Sequence, residues 1–236
     1  MDLGPFSALL AVCDGTTNHQ RSVTCWTDLL RPLWAATLVR HLARVDAESD
    51  AKRLRSIVER LEEDLSDRAV LAMVFDGDDT ISRGHLGLRC STLVRPSTTP
   101  PKRVLVALSR PDHRTRTLQV ATWIAARCGA ELLGVHVVAN EGEASLRGAI
   151  IAANVRVETV GAARKALSDV RVVVDEDVSG AIERSATELG ADLLVVGARR
   201  TGRGGVVSRA LANRATRPTL TVMDTLLYRW SIGASA

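Results

Sequence analysis

The residues best placed to do chemistry lie in a glycine- and arginine-rich stretch, GARRTGRGGVVSRALANRATRP, from Gly197 to Pro218. It follows a buried apolar run, DLLVVG, and leads into a helix that starts near Gly205. Gly202, Gly204 and Gly205 let backbone N–H groups turn toward a ligand, and a helix N-terminus favours an anion. Arg199, Arg200 and Arg203 can add charge-assisted bonds to a phosphate. The same composition also suits a plain surface loop in an arginine-rich protein. A second candidate is VFDGDDTI, Val74 to Ile81, where Asp76, Asp78 and Thr80 follow an apolar run. Asp and Gly are equally what an ordinary turn prefers. His113 and His136 have no evident partner in the sequence, which points to structural or surface roles. The four cysteines, Cys13, Cys25, Cys90 and Cys128, are scattered, with neither a metal-ligand spacing nor a redox pair. A reduced, cytoplasmic setting is the default for such usage.

The elements that must hold these residues are clearest after RPSTTPPK, Arg95 to Lys102, whose prolines resist both helix and sheet and read as a linker. Beyond it, apolar runs alternate with helical patterns. RVLVAL (Arg103 to Leu108), ELLGVHVV (Glu131 to Val138), VRVVV (Val170 to Val174), DLLVVG (Asp192 to Gly197) and TLTVM (Thr219 to Met223) are the expected strands. Asp112 can cap a helix that buries Leu118, Ala121, Ile124, Ala125 and Cys128, with Gly129 as its stop. Ser145 to Leu167 reads as mostly helical. Asp177 caps a helix burying Ala181, Ile182, Ala186 and Leu189, ended by Gly190. Strands spaced by helices imply a doubly wound, five-stranded parallel sheet.

The N-terminal half is a less regular α/β region. Ser7 to Val12 and Val70 to Phe75 read as buried strands, and Cys90 to Val94 as a further edge strand. Between them the pattern predicts a helix over about Trp26 to Ala43, then a second with Leu54, Ile57, Val58, Leu61 and Leu65 on one face and Asp50 as cap. LLAVCDG resembles RVLVALS, and STLVRP resembles PTLTVMD, so the first half can be an eroded copy of the second. The organisation expected is an α/β domain over 1–95, a linker over 96–101, a second domain over 102–224 and an extension over 225–236.

Composition narrows the partners. Aromatics are 3% of the chain, so the core rests on Leu, Val, Ile and Ala. The net charge of +4 is carried almost wholly by arginine, since lysine occurs only at Lys52, Lys102 and Lys165. No nucleic-acid module or aromatic stacking platform accompanies that charge, which argues against nucleic acid as partner. No leader is evident at the start. No apolar run reaches the roughly 20 residues of a membrane span, so a soluble chain is expected.

KRVLVALSRPDHRTRTLQVATWIAARCGAELLGVHVV resembles the opening strand–helix–strand of universal stress proteins, GAIERSATELGADLLVVG their third helix and fourth strand, and RPTLTV their last strand. The resemblance implies a five-stranded parallel sheet, homodimerisation, and in one branch binding of ATP or another adenine nucleotide. That branch cradles phosphates with a Gly-x-x-Gly, a spacer, then Gly followed by Ser or Thr. Gly197 matches the first glycine and Gly205 the last, whereas Arg200 and Val206 replace the second glycine and the hydroxyl residue. Ser109, Arg110 and Pro111 stand where the family has Asp-Gly-Ser facing base and ribose. The site implied is therefore Ser109, Gly197, Arg199, Gly202, Arg203, Gly204 and Gly205, with a binding or regulatory role rather than catalysis. ALSRPD is also similar to stress-protein domains that regulate transporters, which implies a transporter or signalling partner. Separately, Asp76, Asp78 and Thr80 resemble the opening motif of haloacid-dehalogenase-like phosphatases. That family implies Asp76 as nucleophile and Asp78 as general acid, with Ser109 and Lys165 as later motifs, but its closing aspartate pair has no counterpart here.

Overall fold

The computed structural model describes residues 8–13, 17–30, 36–41, 56, 70–74, 91–108, 115–140, 167–198, 205–214 and 216–223. In chain order these form β1 (Ala8–Cys13), α1 (Thr17–Leu30), β2 (Ala36–His41), β3 (Val70–Val74), β4 (Ser91–Val94), β5 (Arg103–Ala107), α2 (Thr115–Cys128), β6 (Glu131–Val138), β7 (Leu167–Val174), α3 (Val178–Glu188), β8 (Leu193–Ala198), α4 (Gly205–Arg214) and β9 (Thr219–Met223). The strands make one nine-stranded sheet in the order β2-β1-β3-β4-β9-β8-β5-β6-β7. Neighbours run parallel throughout except at the β4–β9 seam, which is antiparallel.

The central strands are apolar at successive positions because both faces are covered. Val104 and Val106 of β5, with Leu193 and Val195 of β8, face a core that includes Trp26 and Leu29 of α1 and Leu118, Ala121 and Ile124 of α2. Leu105, Leu194 and Val196 point the other way, toward Ile182 and Ala186 of α3 and Leu211 of α4. Helices therefore lie on both faces, as the alternation of elements predicts. The expected turns are present as well. Gly129 and Gly190 take left-handed φ values of 64° and 61° at helix ends. Asp177 caps α3, accepting from the Gly180 N–H at 3.0 Å and the Ser179 hydroxyl at 2.9 Å. The Gly180 bond, then the Ser179 bond, holds its carboxyl below the ordinary carboxylate range. Across the sheet, the Asp192 carboxylate accepts from the backbone N–H groups of Lys102 and Arg103 and fixes the start of β5 beside β8.

The N-terminal half corrects two expectations. The helix expected over Trp26 to Ala43 lies earlier, at Thr17–Leu30, and Ala36–His41 is a strand. Pro32 disfavours helix continuation, and the β-branched Thr37 and Val39 suit the parallel register that β2 shares with β1. β4 is no edge strand: it pairs with β3 on one side and β9 on the other. The stretch read as a linker contains neither helix nor strand. Pro96 and Pro101 are buried, and the Trp26 indole N–H donates to the Ser97 carbonyl at 2.9 Å, so this stretch is tied down. In the C-terminal half β7 starts at Leu167, where the helix was expected to end. The helix with Asp50 as cap, and most of the one over Ser145 to Leu167, fall outside the described residues.

Strand order is shared between the halves. β1 is flanked by β2 and β3 with β4 beyond; β5 is flanked by β6 and β8 with β9 beyond. The two segments that resemble each other at the start of each half thus become β1 and β5, and those at the end become β4 and β9.

Candidate functional site

In an open α/β sheet a crevice forms outside the carboxyl ends of strands where the order reverses, because the flanking loops depart to opposite faces. In the C-terminal half that place lies between β5 and β8. The chain leaves β5 for α2 on one face and β8 for α4 on the other. The register pairs Val106 with Val195, so two residues on Leu108, just past β5, comes level with Gly197, one residue before the end of β8.

Gly197 is exposed, while its neighbour across the crevice floor is not. A Cβ on Gly197 would stand 2.7 Å from Oγ1 of Thr117, in the first turns of α2. The missing side chain is what lets α2 begin so close to β8 and leaves the β8 backbone open to solvent. Thr117 is only 8% exposed. The sequence reading missed it: a polar residue on the buried stripe of Leu118, Ala121 and Ile124 was the available signal, and its proximity to Gly197 depends on the fold.

The end of β5 is held by β6. The Leu108 N–H donates to the Val135 carbonyl at 2.8 Å, and its carbonyl lies 2.8 Å from Nδ1 of His136. A carbonyl only accepts, so Nδ1 carries a proton and donates it. His136 is 4% exposed, and among the described residues Nε2 has no hydrogen-bond partner. The histidine read as partnerless is thus a buried peg between two strand ends.

On the far side, Gly205 opens α4. The first turn carries no acidic residue to compete for its N–H groups, and Val206 is 63% exposed there. Of the residues expected to form the site, Gly197 lies in β8 and Gly205 is the first residue of α4. Ser109, Arg199, Gly202, Arg203 and Gly204 fall outside the described residues, in the two segments that bound it in sequence. The phosphatase constellation of Asp76, Asp78, Thr80, Ser109 and Lys165 falls outside the described residues. β3, which leads into Asp76, runs antiparallel to β5, which leads into Ser109, with β4, β9 and β8 between them. Among the described residues no group of three or more histidine, cysteine, aspartate or glutamate side chains is arranged to hold a metal. No helix among them is long and apolar enough to cross a membrane.

Sheet order, two-sided helices and a crevice at the β5–β8 reversal define a doubly wound α/β protein. The model of the universal stress protein family matches residues 100–223, and the chain belongs to that family. Its fold is similar to that of a universal stress protein from Archaeoglobus fulgidus, with a TM-score of 0.62 and 16% identity over 92% of this chain and 98% of that one. A protein of the same family from Burkholderia pseudomallei is 28% identical over 51% of this chain and 95% of its own, with a TM-score of 0.43. No curated protein matches the chain.

Proposed function

We propose that the chain is a binding and regulatory protein that takes a phosphate-bearing ligand, an adenine nucleotide or a related metabolite, in the crevice between β5 and β8. The observation that carries this reading is the coincidence of three features: the reversal of strand order, the exposed Gly197 backbone, and the N-terminus of α4 at Gly205. The N–H groups that a helix start leaves without partners inside the helix, together with its dipole, favour an anion by about 0.3–1 kcal/mol. Arg199 and Arg203, from the intervening segment, supply charge. Family membership supports the ligand class, since one branch binds ATP.

The replacements at Arg200, Val206 and Ser109 make the binding phosphate-dominated, with little selection for the base. Calorimetry with ATP, GTP and pyrophosphate at two salt concentrations is the test. Similar affinities that weaken with salt, and weaken further in Arg199→Ala/Arg203→Ala, are expected. Tight ATP binding with rejection of GTP would overturn the phosphate-dominated mode, and no binding of any of the three would overturn the ligand class. The family's homodimer, if formed by pairing sheet edges, has β2 or β7 to use, because β9 is paired on both sides.

A further inference from the structure

Thr117 is a polar residue on an otherwise apolar stripe, and its oxygen is the part turned toward β8. Oγ1 stands 2.7 Å from the place a Cβ on Gly197 would take, whereas Cγ2 stands 3.9 Å away. The residue is only 8% exposed. Two other helix threonines satisfy their hydroxyls on the carbonyl four residues back: Thr24 donates to Gln20 and Thr187 to Glu183, each at 3.0 Å. Thr117 is the third residue of α2, so no helical carbonyl lies at that spacing. Among the described residues its hydroxyl has no hydrogen-bond partner. A buried hydroxyl left in that state costs stability that alanine, the best helix former, would recover.

The surroundings of that hydroxyl suit an anion. It lies in the first turn of a 14-residue helix, whose first N–H groups have no acceptor within the helix and whose dipole is positive at that end. The turn holds no acidic residue. Facing the hydroxyl, Gly197 exposes bare backbone near the carboxyl end of β8. The helix is held in place along its length. Leu118, Ala121 and Ile124 are packed in the core, and near the far end Arg127 donates to the Leu29 carbonyl at 2.6 Å. The donor is therefore positioned before a ligand arrives, which spares part of the ordering cost of binding.

We propose that Thr117 is a phosphate-binding residue: its hydroxyl donates to a phosphoryl oxygen of the ligand, seated at the N-terminus of α2 over the bare backbone of Gly197. This rests on the reading of the β5–β8 crevice as the site of a phosphate-bearing ligand, and it gives that site an anchor on α2 besides the segment between β8 and α4. A hydroxyl bonded to a charged oxygen makes a stronger bond than one to a neutral carbonyl. The contact ignores the base, so it acts on pyrophosphate and on ATP alike.

The test is calorimetry on the full chain with pyrophosphate and ATP as probes. Thr117→Val keeps the branched shape and removes the donor, while Thr117→Ser keeps the donor. The valine variant is expected to lose roughly tenfold in affinity for both probes, and the serine variant to stay within about threefold of the unaltered chain. Thr117→Ala, which needs no extra room beside Gly197, is expected to show the same loss as valine. Melting curves without ligand establish that each variant is folded. Unchanged pyrophosphate affinity in both Thr117→Val and Thr117→Ala would overturn the assignment; if Arg199→Ala/Arg203→Ala still loses binding, the phosphate reading stands without it. A loss confined to ATP would overturn it as well, since the hydroxyl would then meet the nucleoside. Failure of the unaltered chain to bind either probe would remove the reading on which the proposal rests.

Discussion

Replacing Gly197 with alanine tests the crevice floor directly. No left-handed φ holds this position to glycine, so the backbone itself accepts a side chain. In a strand, alanine in place of glycine is worth about 0.5–1 kcal/mol from the unfolded chain alone. Against that, the new methyl would stand 2.7 Å from the Thr117 hydroxyl, well inside contact distance. Relieving it requires α2 to lift or Thr117 to leave its rotamer, an overpacking cost of about 1–3 kcal/mol. Gly197→Ala is therefore expected to destabilise by about 1–2 kcal/mol net. In a Thr117→Ala background the hydroxyl is gone and only ordinary contacts remain, so the same change becomes neutral or stabilising by up to about 1 kcal/mol. Urea denaturation of the four proteins, analysed as a double-mutant cycle, reads this as a coupling of about 2 kcal/mol. Equal effects of Gly197→Ala in both backgrounds would refute the reasoning, since the glycine would then not be there to admit Thr117.

Three further expectations rest on other parts of the fold. Trp26 is fully buried in the core shared by both halves, so Trp26→Ala should cost about 3–5 kcal/mol. Trp26→Phe, which chiefly loses the bond to Ser97, should cost about 1–2 kcal/mol; hydrogen exchange should show the Ala variant loosening β5 and α2 as well as α1. Arg217 donates to the Ala186 and Ala191 carbonyls and to the Thr187 hydroxyl. Arg217→Ala should cost about 3 kcal/mol in chemical denaturation, and Arg217→Lys should recover little, because one ammonium cannot replace the planar fork. For Asp177 the folded value is depressed, so its contribution is present above the unfolded carboxylate range and lost as pH falls through the folded value. The melting-temperature gap between the unaltered chain and Asp177→Ala should be widest near neutral pH and close in acid.

Much of the C-terminal half was legible because its strands are buried on both faces and announce themselves as apolar runs. Glu131–Val138 and Thr219–Met223 were bounded to the residue, and Asp177 and Gly190 marked the ends of α3. β7 was read as starting at Val170 because Leu167, Ser168 and Asp169 lack that apolar signature on an outer strand. In the N-terminal half, Trp26 drew the helix forward although it sits near the end of α1, and the aliphatic content of ATLVRH fits either period over so short a run. The site was legible only as a place in the chain. Gly197 announced itself by following a strand, but its partner Thr117 comes from another helix, and no local pattern encodes that meeting.

The antiparallel seam between β4 and β9 has a directional consequence. Because every other neighbour is parallel, all strands of the first half run opposite to those of the second. The carboxyl ends of β1 and β3 therefore open on one rim of the sheet, and those of β5 and β8 on the other. With six residues in β8, at about 3.3 Å each, the two rims stand about 20 Å apart. A macromolecule docked on one rim leaves the other accessible. Whatever is sensed at the β5–β8 rim reaches the opposite one through the strands and the helices packed on them.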